Sequence, residues 1–114
     1  VSMNNPTSVV SQSADDREII TVYTVENIED AYVVLSLLKR MNEEHFSTYG
    51  GFLGLKLYLS ESGMRVIAHE RWRSTATAAA VWSSPEAESI VKKIQAACLG
   101  IDPCVYTLEE QFPE

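Results

Sequence analysis

The chain has 114 residues with sixteen acidic and nine basic side chains, a formal charge of −7, and its length fits one small domain of roughly 100–200 residues that folds without a disulfide or metal staple. Such an acidic balance presents no positive field to a phosphate backbone, and no basic cluster is denser than Lys39-Arg40 or Lys92-Lys93, so no nucleic acid partner is expected. The longest apolar runs, residues 76–82 and 33–38, fall far short of the ~20 residues that cross a bilayer, so no membrane partner is expected either.

Residues 1–17 are rich in Ser, Asn, Thr and Pro and read as a disordered leader, without the basic and apolar regions of an export signal. Residues 19–25 are β-branched or aromatic throughout and predict a strand. Asn27 caps the helix that follows, with Glu29 and Asp30 in its first turn. Ala31, Val34, Leu35, Leu38 and Met41 form its apolar stripe, and Tyr49-Gly50-Gly51 stops it. A strand over 52–60 and another over 65–72 are joined by a hairpin turn at Glu61-Ser62-Gly63-Met64, where Gly63 supplies positive φ. Ser74 caps a short Ala-rich helix ending near Trp82. Ser84-Pro85 then starts another, Ser as cap and Pro at the first helical position, with Ala87, Ile90, Val91, Ile94 and Ala97 on its buried side and Gly100 beyond its end. A last strand over 104–108 precedes an acidic tail at 109–114.

The order is β-α-β-β-α-β, the ferredoxin-like split βαβ arrangement of the α+β class, occupying residues 18–108. Helices then cover one face of a four-stranded antiparallel sheet, and a second copy of the chain is the simplest cover for the other. We therefore expect a homodimer packed sheet to sheet. Period-two alternation puts Val66, Ala68, Glu70 and Trp72 on one face of the third strand and Ile67, His69 and Arg71 on the other. The first set is expected to line the hollow between the two sheets, with His69 pointing toward the helices. Cys98 and Cys104 have five residues between them, which suits neither a CxxC redox pair nor half a typical zinc site. Two reduced thiols in a cytoplasmic protein are expected.

Gly51-Phe52, a strand, Ser62-Gly63, a strand ending in Trp72-Arg73-Ser74, a helix to Trp82 and then Ser84-Pro85 resembles the antibiotic biosynthesis monooxygenase domain family. The likeness spans roughly residues 18–108 in element order. It implies a dimeric α+β barrel and the oxidation of a small planar aromatic or quinol by dioxygen with no cofactor and no metal. It also implies a pocket group, of which Trp72 is kept. Ala68 stands where many relatives carry Asn, Tyr58 where a polyketide-oxidising relative carries His, and Ala78 where a later Tyr falls. Ile20 and the neighbourhood of Lys92 occupy the places of the haem-degrading cousins' Asn and His, which disfavours haem.

Trp72 is the expected stacking surface, since an indole lining a cavity stacks on a planar ring and donates from Nε1–H. Glu70, buried beside it, is the expected base, because desolvation raises a carboxyl pKa. Tyr58 is the expected hydrogen-bond donor, and Tyr23, Ala68 and Trp82 the expected substrate contacts. The alternative is a catalytically silent dimeric ligand-binding or structural protein on the same scaffold.

Overall fold

β-branched and aromatic residues from Ile19 onward make β1 (Arg17–Thr24) an inner strand of an antiparallel sheet in the computed structural model, which describes residues 16–113. The leader expected at 1–17 therefore lies outside the described residues but for its last two, and of these Arg17 already belongs to the strand. Asn27 caps α1 (Ile28–Glu44) as expected, its side-chain oxygen accepting a hydrogen bond from the Asp30 N–H at 2.9 Å. Ala31, Val34, Leu37, Leu38 and Met41 are its buried positions, Leu37 joining the stripe and Leu35 lying at its margin. A 3-10 turn over Phe46–Thr48 follows, which the sequence pattern did not predict.

β2 (Phe52–Leu59) and β3 (Arg65–Trp72) form the expected hairpin. Its turn carries Gly63 at φ +76°, where a Cβ would stand 2.7 Å from Ile28 Cδ1. Glycine is required there twice over, by backbone conformation and by the close approach of α1. Ser74 caps α2 (Thr75–Trp82), accepting from the Thr77 N–H at 3.2 Å. Ser84 does not cap the next helix: its hydroxyl donates back to the Val81 carbonyl at 2.9 Å, and Pro85–Ala87 form a 3-10 turn before α3 (Glu88–Ala97). β4 spans Gly100–Tyr106, beginning four residues before the strand expected at 104. Pro103 lies inside it, tolerated because β4 pairs on one side only.

The sheet order β2-β3-β1-β4 is that of the ferredoxin-like α+β fold. Val66, Ala68, Glu70 and Trp72 are all buried, and they face the helices. This reverses the expected orientation of β3: Ile67, His69 and Arg71 stand on the uncovered face, where His69 pairs with Glu18 of β1. The hollow expected between two sheets is not what Trp72 lines. Both alternating sets of β3 mix apolar and polar residues, and the full burial of Ala68 and Trp72 against the helices decides which set turns inward. Among the described residues no helix is long and apolar enough to cross a membrane.

Candidate active site

A cavity of about 480 Å³ opens between the helix-facing side of the sheet and helices α2 and α3. Each wall is one face of one element. β1 contributes Ile19, Thr21 and Tyr23 by strand alternation, and β4 contributes Ile101, Pro103 and Val105 in the same way. From α2 come Thr75, Ala78, Ala79 and Trp82, positions i, i+3, i+4 and i+7 of one helical face, and α3 adds Val91, Ile94 and Gln95. The space exists because the α2 face is built from small residues until Trp82. Its lining is apolar apart from a few side chains, and its volume falls within the roughly 300–1,000 Å³ of small-molecule sites.

Glu70 is the one carboxyl group on the wall, and it is 1% exposed. Its Oε1 accepts hydrogen bonds from Trp72 Nε1 at 2.9 Å and from Trp82 Nε1 at 3.0 Å. Both indoles rest on Phe46, whose ring meets Trp72 at 5.3 Å and Trp82 at 5.4 Å in edge-to-face contacts. A bulge between Phe52 and Gly54 sets Phe52 opposite Trp72, where the rings meet at 5.1 Å. Burial pushes the Glu70 carboxyl above the ordinary carboxylate range, and the two indole donors pull it partly back. Tyr23, 2% exposed, is raised by its own burial first and then by the charge of Glu70, against a hydrogen bond with Thr21. It therefore stays a protonated donor at neutral pH.

Glu70, Tyr23 and Trp82 of the expected site residues border the cavity. Trp72 does not: it lies behind Glu70 in the aromatic cluster and reaches the site only through the carboxylate. Ala68 is fully buried away from the cavity wall. Tyr58 is 49% exposed on the uncovered sheet face with Ile67, so it is not a donor to this cavity. The walls supplied by β4 and α3, and Phe46 behind the indoles, are additions to the expected site. For α3 the sequence held one signal, its apolar stripe, while nothing local tied β4 or Phe46 to the site. Among the described residues no group of three His, Cys, Asp or Glu side chains could hold a metal ion. Cys98 is half-buried and Cys104 exposed, both as free thiols.

No family model matches the sequence, and no curated protein matches it either. Solved structures do match. A variant of SnoaB, a cofactor-independent oxygenase from Streptomyces nogalater, is similar at a TM-score of 0.76 and 17% identity, over 89% of this chain and 100% of that one. The monooxygenase ActVA-Orf6 of Streptomyces coelicolor, in complex with nanaomycin D, gives a TM-score of 0.76 at 13% identity over 89% and 94% of the two chains. A protein of Nitrosomonas europaea, provisionally assigned as an antibiotic biosynthesis monooxygenase, gives 0.72 at 11% identity over 91% and 98%. The resemblance carried by residues 49–85 thus holds at the level of the fold.

The raised carboxyl makes a stability prediction. A carboxyl whose pKa is higher in the folded than in the unfolded chain binds more protons when folded, so stability falls as pH climbs from the unfolded value, about 4.3, through the folded one. In thermal melts from pH 4 to 8, the wild type loses stability relative to Glu70→Gln across that window and then runs parallel to it. Parallel curves throughout would contradict the buried ionisation.

Proposed function

We propose that the protein is a cofactor-independent oxygenase acting on a small planar hydroxyarene or quinol bound in the cavity between the sheet and helices α2 and α3. The observation that carries this reading is a single buried carboxylate on the wall of a mostly apolar cavity. Its fold-level likeness to SnoaB and ActVA-Orf6 supports the same reading. An apolar chamber excludes water, which strengthens each electrostatic contact inside it and protects reactive intermediates.

Glu70 acts as the base. For an anthrone, Glu70 removes a proton from the activated ring system, leaving an electron-rich anion. That anion passes an electron to dioxygen, and the resulting radical pair joins as a C–O bond. The proton held on Glu70 returns to the peroxide. Glu70, ionised again, then takes the second C–H proton from the same carbon, and that electron pair forms the C=O bond as the O–O bond breaks. The hydroxide released takes up the proton from Glu70 and leaves as water. One oxygen atom enters the product and the other leaves in water. In this reading Tyr23, protonated on the cavity wall, donates to the developing oxyanion, and Trp82 offers its ring as a wall for the planar substrate.

The alternative, a ligand-binding protein without turnover, is favoured by Ala68, which can neither bind nor orient oxygen and is buried away from the cavity. Oxygen uptake with a panel of anthrones and hydroquinones separates the two. Oxidation is expected in the wild type, rising with pH on an apparent pKa above the usual carboxylate range. Glu70→Gln should lower the rate by about 10²-fold or more. Binding without turnover above the uncatalysed rate would leave only the silent reading.

A second copy belongs to the same proposal. The uncovered sheet face carries half-buried Ile20, Val22 and Ile67, and a sheet face of that kind is covered by another layer. Two copies packed through this face leave the cavity of each protomer on the outer side. Sedimentation velocity at micromolar concentration should return a dimer, and a monomer would contradict it.

A further inference from the structure

Two indole N–H groups converge on one oxygen of Glu70, from residues in different elements. Trp72 is on β3 beside the carboxylate, while Trp82 closes α2 on the cavity wall. An indole donates one hydrogen bond and accepts none, so neither ring can compete for the proton of a carboxylic acid. Both bonds therefore favour the ionised carboxylate, and both fall on Oε1. We propose that Trp72 and Trp82 form a two-donor clamp that fixes Glu70 by Oε1 and leaves Oε2 as the oxygen that meets the ligand, with Trp72 a positioning residue that touches no substrate. This deepens the oxidation reading, since it names which oxygen of the base works and what orients it.

The packing behind the clamp is what makes it rigid. Phe46 meets both indoles edge to face, and Phe52 meets Trp72, so the Trp72 ring has three-sided support from rings and carboxylate. Rotation of Glu70 about its terminal bond would exchange the oxygens only by breaking both N–H bonds together. Removing one donor frees that motion and weakens the ionised form, so the carboxyl becomes a weaker acid.

Carboxyl-13C and indole-15N NMR of the full chain tests this. In the wild type, the Nε1–H resonances of Trp72 and Trp82 should titrate together with the Glu70 carboxyl carbon at one apparent pKa. In Trp72→Phe, which keeps a ring against Phe46 and Phe52 but removes the donor, the Glu70 pKa should rise by about one unit, a tenfold change in proton affinity. In the oxygen-uptake assay the pH profile should move upward by the same amount with KM little changed, an effect that a merely structural ring would not produce. An unmoved Glu70 pKa in Trp72→Phe would overturn the clamp. Where that variant fails to fold, a wild-type Trp72 resonance that ignores the Glu70 titration overturns it equally. A wild type that oxidises none of the compounds defeats the oxidation reading alone, because the NMR titration still decides the clamp.

Discussion

A carboxylate taken out of water must find strong donors or lose its charge, and at Glu70 two indoles meet that demand. Much of the local structure is arranged around the requirement. The register of β3 puts Glu70 and Trp72 on one face, and α2 must reach Trp82 to bring the second donor within 3.0 Å. The 3-10 turn after α1 delivers Phe46 behind both rings. Removing the carboxylate's partners singly would leave a buried polar group short of a bond, a cost of about 1–3 kcal/mol. The surroundings of Glu70 are thus coupled: strand, helix and turn each hold a part of one arrangement.

The cavity is the complement of that cluster. Large rings fill the space between the sheet and the segment from Phe46 to Trp82, while Thr75, Ala78 and Ala79 leave space empty on the same face of α2. The apolar stripe of α3 and the edge strand β4 close the far side. Glu70 sits at the boundary between the filled and the empty halves. A group buried by packing on one side and facing a hollow on the other has both a perturbed acidity and room for a partner, the combination that sites of proton transfer need.

Element order, both true helix caps and the hairpin glycine were legible in the sequence, because Asn27, Ser74 and Gly63 act through local geometry that a few neighbouring residues determine. The facing of β3 was not. Alternation sorts Val66, Ala68, Glu70 and Trp72 into one set, but only tertiary packing says which way the set points, and a glutamate in it suggests the wrong side unless its two indole donors are seen. Trp82 is twelve residues away and meets Glu70 only through the fold. The early start of β4 was hidden by Pro103, whose missing N–H an edge strand does not need. Tyr58 falls outside the site by register rather than by that reversal: it pairs with Ile67 and so lies on the opposite face of the sheet from Glu70. Ser84 carries the residue type of a cap yet uses its hydroxyl on the preceding helix.

In the proposed reaction the chamber that matters lies under the helices of a single chain, and the working atom is on Glu70. A crystal structure with an anthrone or hydroquinone bound tests that most directly. The ligand ring should lie between Trp82 and β4 with its oxygen about 3 Å from Glu70 Oε2 and both indoles still on Oε1. A ligand seated against the uncovered face of the sheet, with Glu70 untouched, would contradict the account.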